Sequence, residues 1–306
     1  MLRSFGLRGN ALRVRADPQA CGAGPSPRAA ADGAPLFPDA AQLLGDREFD
    51  TVRRLIAQYA GIKLSLQKRN MVYNRLQRRL RARRLASFGE YLELVQREGS
   101  DEREAFVNAL TTNLTSFFRE PHHFELLLGH ARSRAPRHAA LRCWSSACST
   151  GEEAWSIAMV LREAQCAGSV LGTDIDTDVL HAAEAGIYRS ERAAGLGPER
   201  LRRHFLRGAG ANEGLVSVRP ELRSMVRFGQ LNLQSPHWPA QEPFDVIFCR
   251  NVVIYFDREV QKKLLARFAA LLAPGGLLMV GHSESFPAAH PGFRSIGRTT
   301  YERVGS

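Results

Sequence analysis

The hydrophobic positions of this chain change period along its length, and the change divides it. From about Asp46 they recur every three to four residues, with Phe49, Val52, Ile56 and Ala57 on one face and Gly61 at the end, which predicts an amphipathic helix. Leu66, Met71, Leu76 and Leu80 predict a second helix from Leu64 to Leu85, and Phe88, Tyr91, Leu92, Leu94 and Val95 a third. Further on, short apolar runs alternate with helical periods. Ala139 to Trp144 reads as a strand, Trp155, Ile157, Ala158, Val160 and Leu161 as the core face of a helix, and Val170 to Asp176 as a second strand. A helix from Asp178 to Ala185 closes at Gly186, and Val226 to Leu233 gives another strand. Phe244 to Phe248 follows, then a helix through Leu264, Leu265, Phe268, Leu271 and Leu272 that Pro274, Gly275 and Gly276 stop. Leu277 to Glu284 is a central strand, and Phe293 to Gly297 with Thr300 to Val304 supplies an antiparallel edge. Strands alternating with helices predict an α/β fold on a mostly parallel sheet.

Two stretches interrupt that rhythm. After a short helix at Leu201 to Phe205 comes the turn-rich R-G-A-G-A-N-E-G, and the apolar residues from Leu215 to Val226 predict two or three short strands around Pro220. This is a small β excursion. The other is Ala109 to Phe124, A-L-T-T-N-L-T-S-F-F-R-E-P-H-H-F, too rich in Thr, Ser and Asn for a helix interior, with Pro121 expected to end any helix the phenylalanines continue. It suits a segment laid over a bound ligand. The expected division is a flexible leader at 1–44, rich in Ala, Gly, Pro and Arg, a helical domain at 45–108, a linker at 109–130, and an α/β domain at 131–306 with the β excursion at about 201–228.

Composition narrows the setting. No run approaches 18 apolar residues, and the five cysteines show no metal-ligand spacing and leave one over in any all-disulfide scheme. A reducing cytoplasm, without a secretory signal, is the simplest expectation. The net charge of +11 is concentrated: Lys63, Lys68, Arg69, Arg75, Arg78, Arg79, Arg81, Arg83 and Arg84 fall between 63 and 84 with no acidic residue among them. Such a face is either solvated or answered by an acidic partner. No helix-turn-helix, zinc-finger or stacking signature accompanies it, so an acidic helical protein surface fits at least as well as nucleic acid.

The chemistry centres on A-L-R-C-W-S-S-A-C-S-T-G-E-E, Ala140 to Glu153, and on Asp174 at the next strand end. Small residues let a ligand approach backbone N–H groups at a helix start, and a strand-end carboxylate is placed to accept from a ribose diol, which points to an adenine nucleoside. A dinucleotide loop needs more than the single Gly151, and Glu152 and Glu153 would repel a phosphate. They suit the sulfonium and amino groups of S-adenosylmethionine. Thr150 and Glu153 also have capping-box spacing, and the two roles can coexist. Arg250 and Asn251 stand at the carboxyl end of the Phe244 strand, where an arginine suits an anionic methyl acceptor such as a carboxylate. Tyr255 is available to point back toward it. Arg119 is either a site residue or a salt-bridged surface arginine beside His122 and His123, and Ser283 and Glu284 either line the cleft or cap a loop. Motifs for a zinc protease, a redox pair, a P-loop and a serine hydrolase are missing, and no metal is expected.

From about Phe49 to Val304 the sequence closely resembles the chemotaxis-receptor methyltransferases, the CheR family. The resemblance is carried by T-T-N-L-T-S-F-F-R-E at Thr111 to Glu120, S-A-C-S-T-G-E-E at Ser146 to Glu153, T-D-I-D at Thr173 to Asp176, G-I-Y-R at Gly186 to Arg189, F-C-R-N-V-V-I-Y-F-D at Phe248 to Asp257 and G-H-S-E at Gly281 to Glu284. It implies a Rossmann-like S-adenosylmethionine-dependent methyltransferase with a small N-terminal all-helical domain and an inserted antiparallel β-subdomain. It further implies transfer to glutamate carboxylates in the cytoplasmic helices of chemoreceptors, giving methyl esters and S-adenosylhomocysteine. The family's cofactor contacts fall on Asn113, Thr115, Arg119, Glu153, Asp174, Asn232, Leu233, Arg250 and Asn251, with Asp174 on the ribose and Asn232 and Leu233 at the adenine. Arg119, Arg250 and Tyr255 are the expected catalytic group, and Lys68, Arg69, Arg75, Arg78 and Arg79 the expected receptor-binding face. In some members the β-subdomain docks a short peptide at the receptor's carboxyl terminus, and R-G-A-G-A-N-E-G-L-V-S-V-R is similar to those members. Trp155 departs from the family's usual smaller aromatic, and the leader lies outside the resemblance. The rival expectations are a nucleic-acid methyltransferase, prompted by the basic helix, and an S-adenosylmethionine-binding regulatory module.

Overall fold

The computed structural model describes residues 4–5, 44–134, 140–238, 242–284 and 291–305. Strand β1, Ser4–Phe5, and Leu44, which is buried in the core of the helical domain rather than in a leader, are the parts of 1–44 among them; the expectation for the rest of 1–43 lies outside the described residues. The helical domain starts with α1, Asp46–Ala60, which buries Phe49, Val52, Leu55 and Ile56 and ends on Gly61 at φ 71°, a left-handed cap that favours glycine. Helix α2, Arg69–Arg83, starts later than the expected Leu64, because Leu64 is buried in an extended segment and Leu66–Lys68 form a 3-10 turn. Helix α3, Phe88–Gln96, is capped by the Ser87 hydroxyl, which accepts from the Glu90 N–H. Helix α4, Glu102–Leu110, was not foreseen; Phe106, Val107 and Leu110 close the core beneath α1 and α3, and buried Glu102 hides the period.

Helix α5, Pro121–Arg134, overturns one expectation, since Pro121 begins it. Proline fits a first helical position because its missing N–H would be unpaired there anyway. The large sheet then takes β2 (Leu141–Ser145), β3 (Gly168–Asp174), β7 (Val226–Gln230), β8 (Phe244–Cys249), β9 (Leu272–Val280), β10 (Phe293–Gly297) and β11 (Thr300–Arg303) in the order β10-β11-β9-β8-β2-β3-β7, parallel from β9 to β7 with an antiparallel edge. Successive strand residues point to opposite faces, so Cys143, Val246 and Met279 pack in one layer with α5 and α6 (Glu152–Glu163). Trp144, Ile247 and Leu278 pack in the other, with α11 (Arg258–Leu271). Pro274 to Gly276 lie inside β9 at a register shift against β8, rather than before it. From β2 the chain runs outward to β3 and β7, then returns to β8 on β2's other side. That reversal opens a crevice at the carboxyl ends of β2, β3 and β8.

Helix α7, Thr177–Ala185, leads into the small sheet, β4 (Ile187–Arg189), β5 (Phe205–Gly208) and β6 (Leu215–Val218), with short helices α8 (Ser190–Ala193) and α9 (Gly197–His204) between. Its order is β1-β5-β6-β4, antiparallel apart from the β1–β5 pair. Pro220 starts the single turn α10, Pro220–Arg223, instead of separating two strands, and Val226 already belongs to the large sheet. No helix among the described residues is long and apolar enough to cross a membrane.

Candidate functional site

The loop after β2 crosses the ends of its neighbours and is tied to both. Ser146 N–H donates to the Phe248 carbonyl, Cys148 N–H to that of Thr173, and Ser149 N–H to the Asp174 carboxylate, at 2.8 to 2.9 Å. Gly151 enters α6 at φ 92°, where a Cβ would meet that of Ala183 at 2.8 Å, so glycine is required twice over. The capping box does not form: Gly151 is the N-cap, and the Thr150 hydroxyl donates to Glu152 instead. The two glutamates part. Glu152 is buried against Arg192, while Glu153 faces the crevice, accepting from the Ser145 hydroxyl at 2.7 Å and from Arg250 at 2.9 Å.

Burial raises Glu153 above the usual carboxylate range against the pull of Arg250, and pushes Asp174 up to about 6 despite backbone N–H donation from Asp176 and Ser149. Two such carboxylates favour a ligand that brings a cation and hydroxyl donors. Asp176 reaches the other way. Its Oδ1 caps α7, and its Oδ2 accepts from Thr111 at 2.6 Å and Asn113 at 2.7 Å, fastening the linker over the loop.

Arg119 and Arg250 have different surroundings. Arg250 is buried, and its guanidinium meets Glu153, Glu120 at 3.1 Å and the Arg119 carbonyl at 2.5 Å. It braces carboxylates of the protein itself. Arg119 is half-buried, donates to the Leu114 carbonyl at 2.8 Å, and has no carboxylate partner among the described residues. Burial alone would raise Glu120, yet the His282 hydrogen bond and the Arg250 charge outweigh it and hold it at about 2. Glu120, His122 and His123 bring ligand atoms within 4.8 Å of one another, but Arg250 already answers the carboxylate, and burial together with the Arg250 charge lowers His123 to about 4.

Asn251, at φ 58°, starts a tight segment held by one buried carboxylate. Glu284 accepts the N–H groups of Gly281, Asn251 and Val253 at 2.7 Å and of Ile254 at 3.3 Å, so it caps the loop that carries Tyr255. On the far side, the Asn232 amide donates to the Tyr59 carbonyl at 2.7 Å, and Lys63 N–H donates to the Tyr255 carbonyl at 3.1 Å. The helical domain therefore closes over the crevice.

The enclosed space, ≈ 240 Å³, is lined by Asn113, Thr115, Arg119, Glu153, Asp174, Asn232, Leu233, Arg250, Asn251 and Tyr255, all singled out from sequence, together with Lys68, Ser146, Ala147 and Ser149. Small residues and buried carboxylates fit S-adenosylmethionine, a ligand without phosphate. The receptor-binding set is dispersed. Arg69 pairs with Asp46, Arg75 donates to the Thr111 carbonyl, and Arg79 joins Arg83 on buried Glu102, leaving Lys68 and Arg78 exposed. The residues sequence reasoning missed are Glu120 and Asp176, and it left Glu284 open between two roles. Glu120 adjoins the arginine already singled out, which was the available signal.

Two family models match. That for the CheR methyltransferase all-alpha domain covers residues 47–111, and that for the CheR methyltransferase SAM-binding domain covers residues 113–302. The chain is 52% identical to the chemotaxis protein methyltransferase of Klebsiella aerogenes over 84% of its own length and 90% of that protein's, and 51% identical to that of Escherichia coli over 84% and 91%. Its identity to chemotaxis protein methyltransferase 2 of Pseudomonas aeruginosa is 48%, over 83% and 92%.

Proposed function

The chain belongs to the CheR methyltransferase family, an S-adenosylmethionine-dependent methyltransferase acting on chemoreceptors, and from that premise we propose that its acceptor is a glutamate side-chain carboxylate, which leaves as a methyl ester. The observation that carries this reading is Arg119: it lines the same cavity as Glu153 and Asp174, and no carboxylate of the described residues answers it. A carboxylate is ionised at neutral pH and needs orientation without a base. S-adenosylmethionine supplies a methyl already activated on a sulfonium. Glu153 holds the donor's cationic end, Asp174 accepts from the ribose diol, and Asn232 and Leu233 flank the adenine. Asn113, Thr115 and Asn251 complete the donor's enclosure. Arg119 and Tyr255 orient the acceptor, and Arg250 holds Glu153 in position.

A nucleic-acid substrate is disfavoured by the basic helix itself, since Arg69, Arg75, Arg79 and Arg83 are engaged within the protein. We place the activity in the cytoplasm, where the receptor's helical domain lies. A short receptor peptide would add a strand to the small sheet; beside β5 it would compete with the chain's own Ser4–Phe5. The decisive test is transfer of radiolabelled methyl to receptor-containing membranes, followed by alkali, which releases volatile methanol only from esters. Saturable cofactor binding with no base-labile label on any receptor would instead support a regulatory module.

A further inference from the structure

The linker turns sharply on either side of Arg119. Phe118, at φ 52°, and Glu120, at φ 57°, both take left-handed backbone, which is uncommon for side chains of their size and persists only where the surroundings hold it. Arg250 and His282 hold Glu120, at 3.1 and 3.0 Å. Phe118 is held from another side. Its N–H donates to the Ser156 hydroxyl of α6 at 3.0 Å, and its ring packs on that of Phe124 with centroids 5.0 Å apart. The same ring carries Arg200 of α9, whose guanidinium carbon lies 4.0 Å from the ring centroid. Two parallel hydrogen bonds to Glu163, at 2.8 and 2.9 Å, fix the plane of that guanidinium. The preceding Phe117 is gripped by the small sheet, edge-on to Tyr188 of β4 at 5.1 Å and to Phe205 of β5 at 5.6 Å. Neither Phe118 nor Arg200 lines the cavity.

We propose that Phe118 and Arg200 are positioning residues for methyl transfer: the stack of Glu163, Arg200 and Phe118 holds the left-handed turn that aims Arg119 at the acceptor carboxylate. The inference rests on the reading that Arg119 orients that carboxylate. The hydrogen bonds of Arg119 itself stay within the linker, from its N–H to the Ser116 carbonyl at 3.4 Å and from its guanidinium to the Leu114 carbonyl at 2.8 Å. Its place relative to the cavity therefore depends on the grips at the neighbouring residues. A guanidinium suits this task better than an ammonium, because one flat group answers a carboxylate along its edge and an aromatic ring across its face. Small errors in the placement of an orienting charge cost turnover, whereas Glu153, Asp174 and Asn232 hold the donor on other elements. Loss of the stack should therefore slow transfer and spare cofactor binding.

The test is a double-mutant cycle on the full chain with a purified cytoplasmic receptor fragment. Arg200→Ala is expected to lower kcat roughly tenfold, with KM for the fragment and the dissociation constant for S-adenosylhomocysteine unchanged. In an Arg119→Ala background it should lower kcat no further, because an arginine that is absent cannot be misplaced. A merely structural contribution would multiply through both backgrounds. Phe118→Leu keeps apolar volume against Phe124 and leaves the Arg200 pair with Glu163 intact; it should reproduce the loss, and it covers the case in which Arg200→Ala does not fold. Arg203→Ala, one turn along the same helix and paired with exposed Glu199, should leave kcat as it was. An unchanged kcat in Arg200→Ala or Phe118→Leu, an equal fall in Arg203→Ala, or a loss that multiplies with that of Arg119→Ala overturns the inference and leaves the reading of the cavity standing. An unchanged kcat in Arg119→Ala alone overturns both.

Discussion

Arg119 and Arg250 line one cavity, yet only one of them faces an unmet charge. Arg250→Ala would leave Glu153 and Glu120 buried without their shared cation, so denaturant melts should show a loss of roughly 3–5 kcal/mol, with cofactor affinity falling alongside. Arg119→Ala should keep both stability and affinity and lower kcat by roughly 10²-fold, read by steady-state kinetics beside calorimetric titration. The carboxylates predict a pH dependence. Asp174 titrates at about 6 in the folded chain against an ordinary 3.8, so the native state holds the extra proton between those values, and stability falls as pH rises through that window. Binding runs opposite: a ribose diol donates to the ionised form, so affinity should weaken below pH 6, approaching about tenfold per pH unit, while Asp174→Asn binds weakly with a flatter profile. Calorimetric titration from about pH 5 to 8 checks the affinity, and denaturant melts from about pH 4 to 7 check the stability. Glu153 and Asp174 were legible in the sequence because a helix start and a strand end place them locally. Glu120 was not, since its partners Arg250 and His282 lie in segments remote in sequence, and Glu284 stayed open between lining the cleft and capping a loop because most of the N–H groups it answers lie about thirty residues earlier.

Among the elements, α2 is the basic helix the sequence predicts, but the charges read as one face divide between solvent and the protein's own acceptors. Charge density can be counted along a sequence, but the side chains that point inward to an acid depend on α4, whose period is concealed because buried Glu102 occupies an apolar position. Tyr91 donates to the same carboxylate at 3.0 Å. Arg79→Ala should therefore cost roughly 2–3 kcal/mol in a denaturant melt, less than a fully isolated buried pair because Arg83 remains. Arg78→Glu, on the solvent side, should leave the melt unchanged and raise KM for the receptor several-fold, an effect that added salt diminishes. Proline misled at both 121, read as ending a helix, and 220, read as lying between strands: in each case it occupies a first helical position, where its missing N–H costs nothing, and only the following residues' packing shows this. The parallel strands were legible as elements, most plainly β8, an apolar run buried on both faces; β9 begins at Leu272, ahead of the expected Leu277, because Pro274 to Gly276 lie within it.

At the scale of the whole molecule, the helical domain has its own core around Phe49, Ile56, Leu76 and Phe106, while the sheet has one on each face. What joins the two is mostly polar: Asn232 to the Tyr59 carbonyl, Lys63 N–H to the Tyr255 carbonyl, Asn108 to Thr177, and Thr111 to Asp176, with Ile175 as an apolar contact. Separate cores across a polar joint unfold separately, so the free protein should show two calorimetric transitions. The cavity lies across that joint, with Ala60, Ile62 and Met71 facing Asp174 and Leu233, so a ligand filling it binds the docked arrangement and neither half alone. S-adenosylhomocysteine at a hundred times its dissociation constant should stabilise that arrangement by about 2.7 kcal/mol, moving the lower transition up toward the higher one. A lower transition that stays in place under saturating ligand would mean that the helical domain takes no part in holding the cofactor, and that its residues serve the receptor alone.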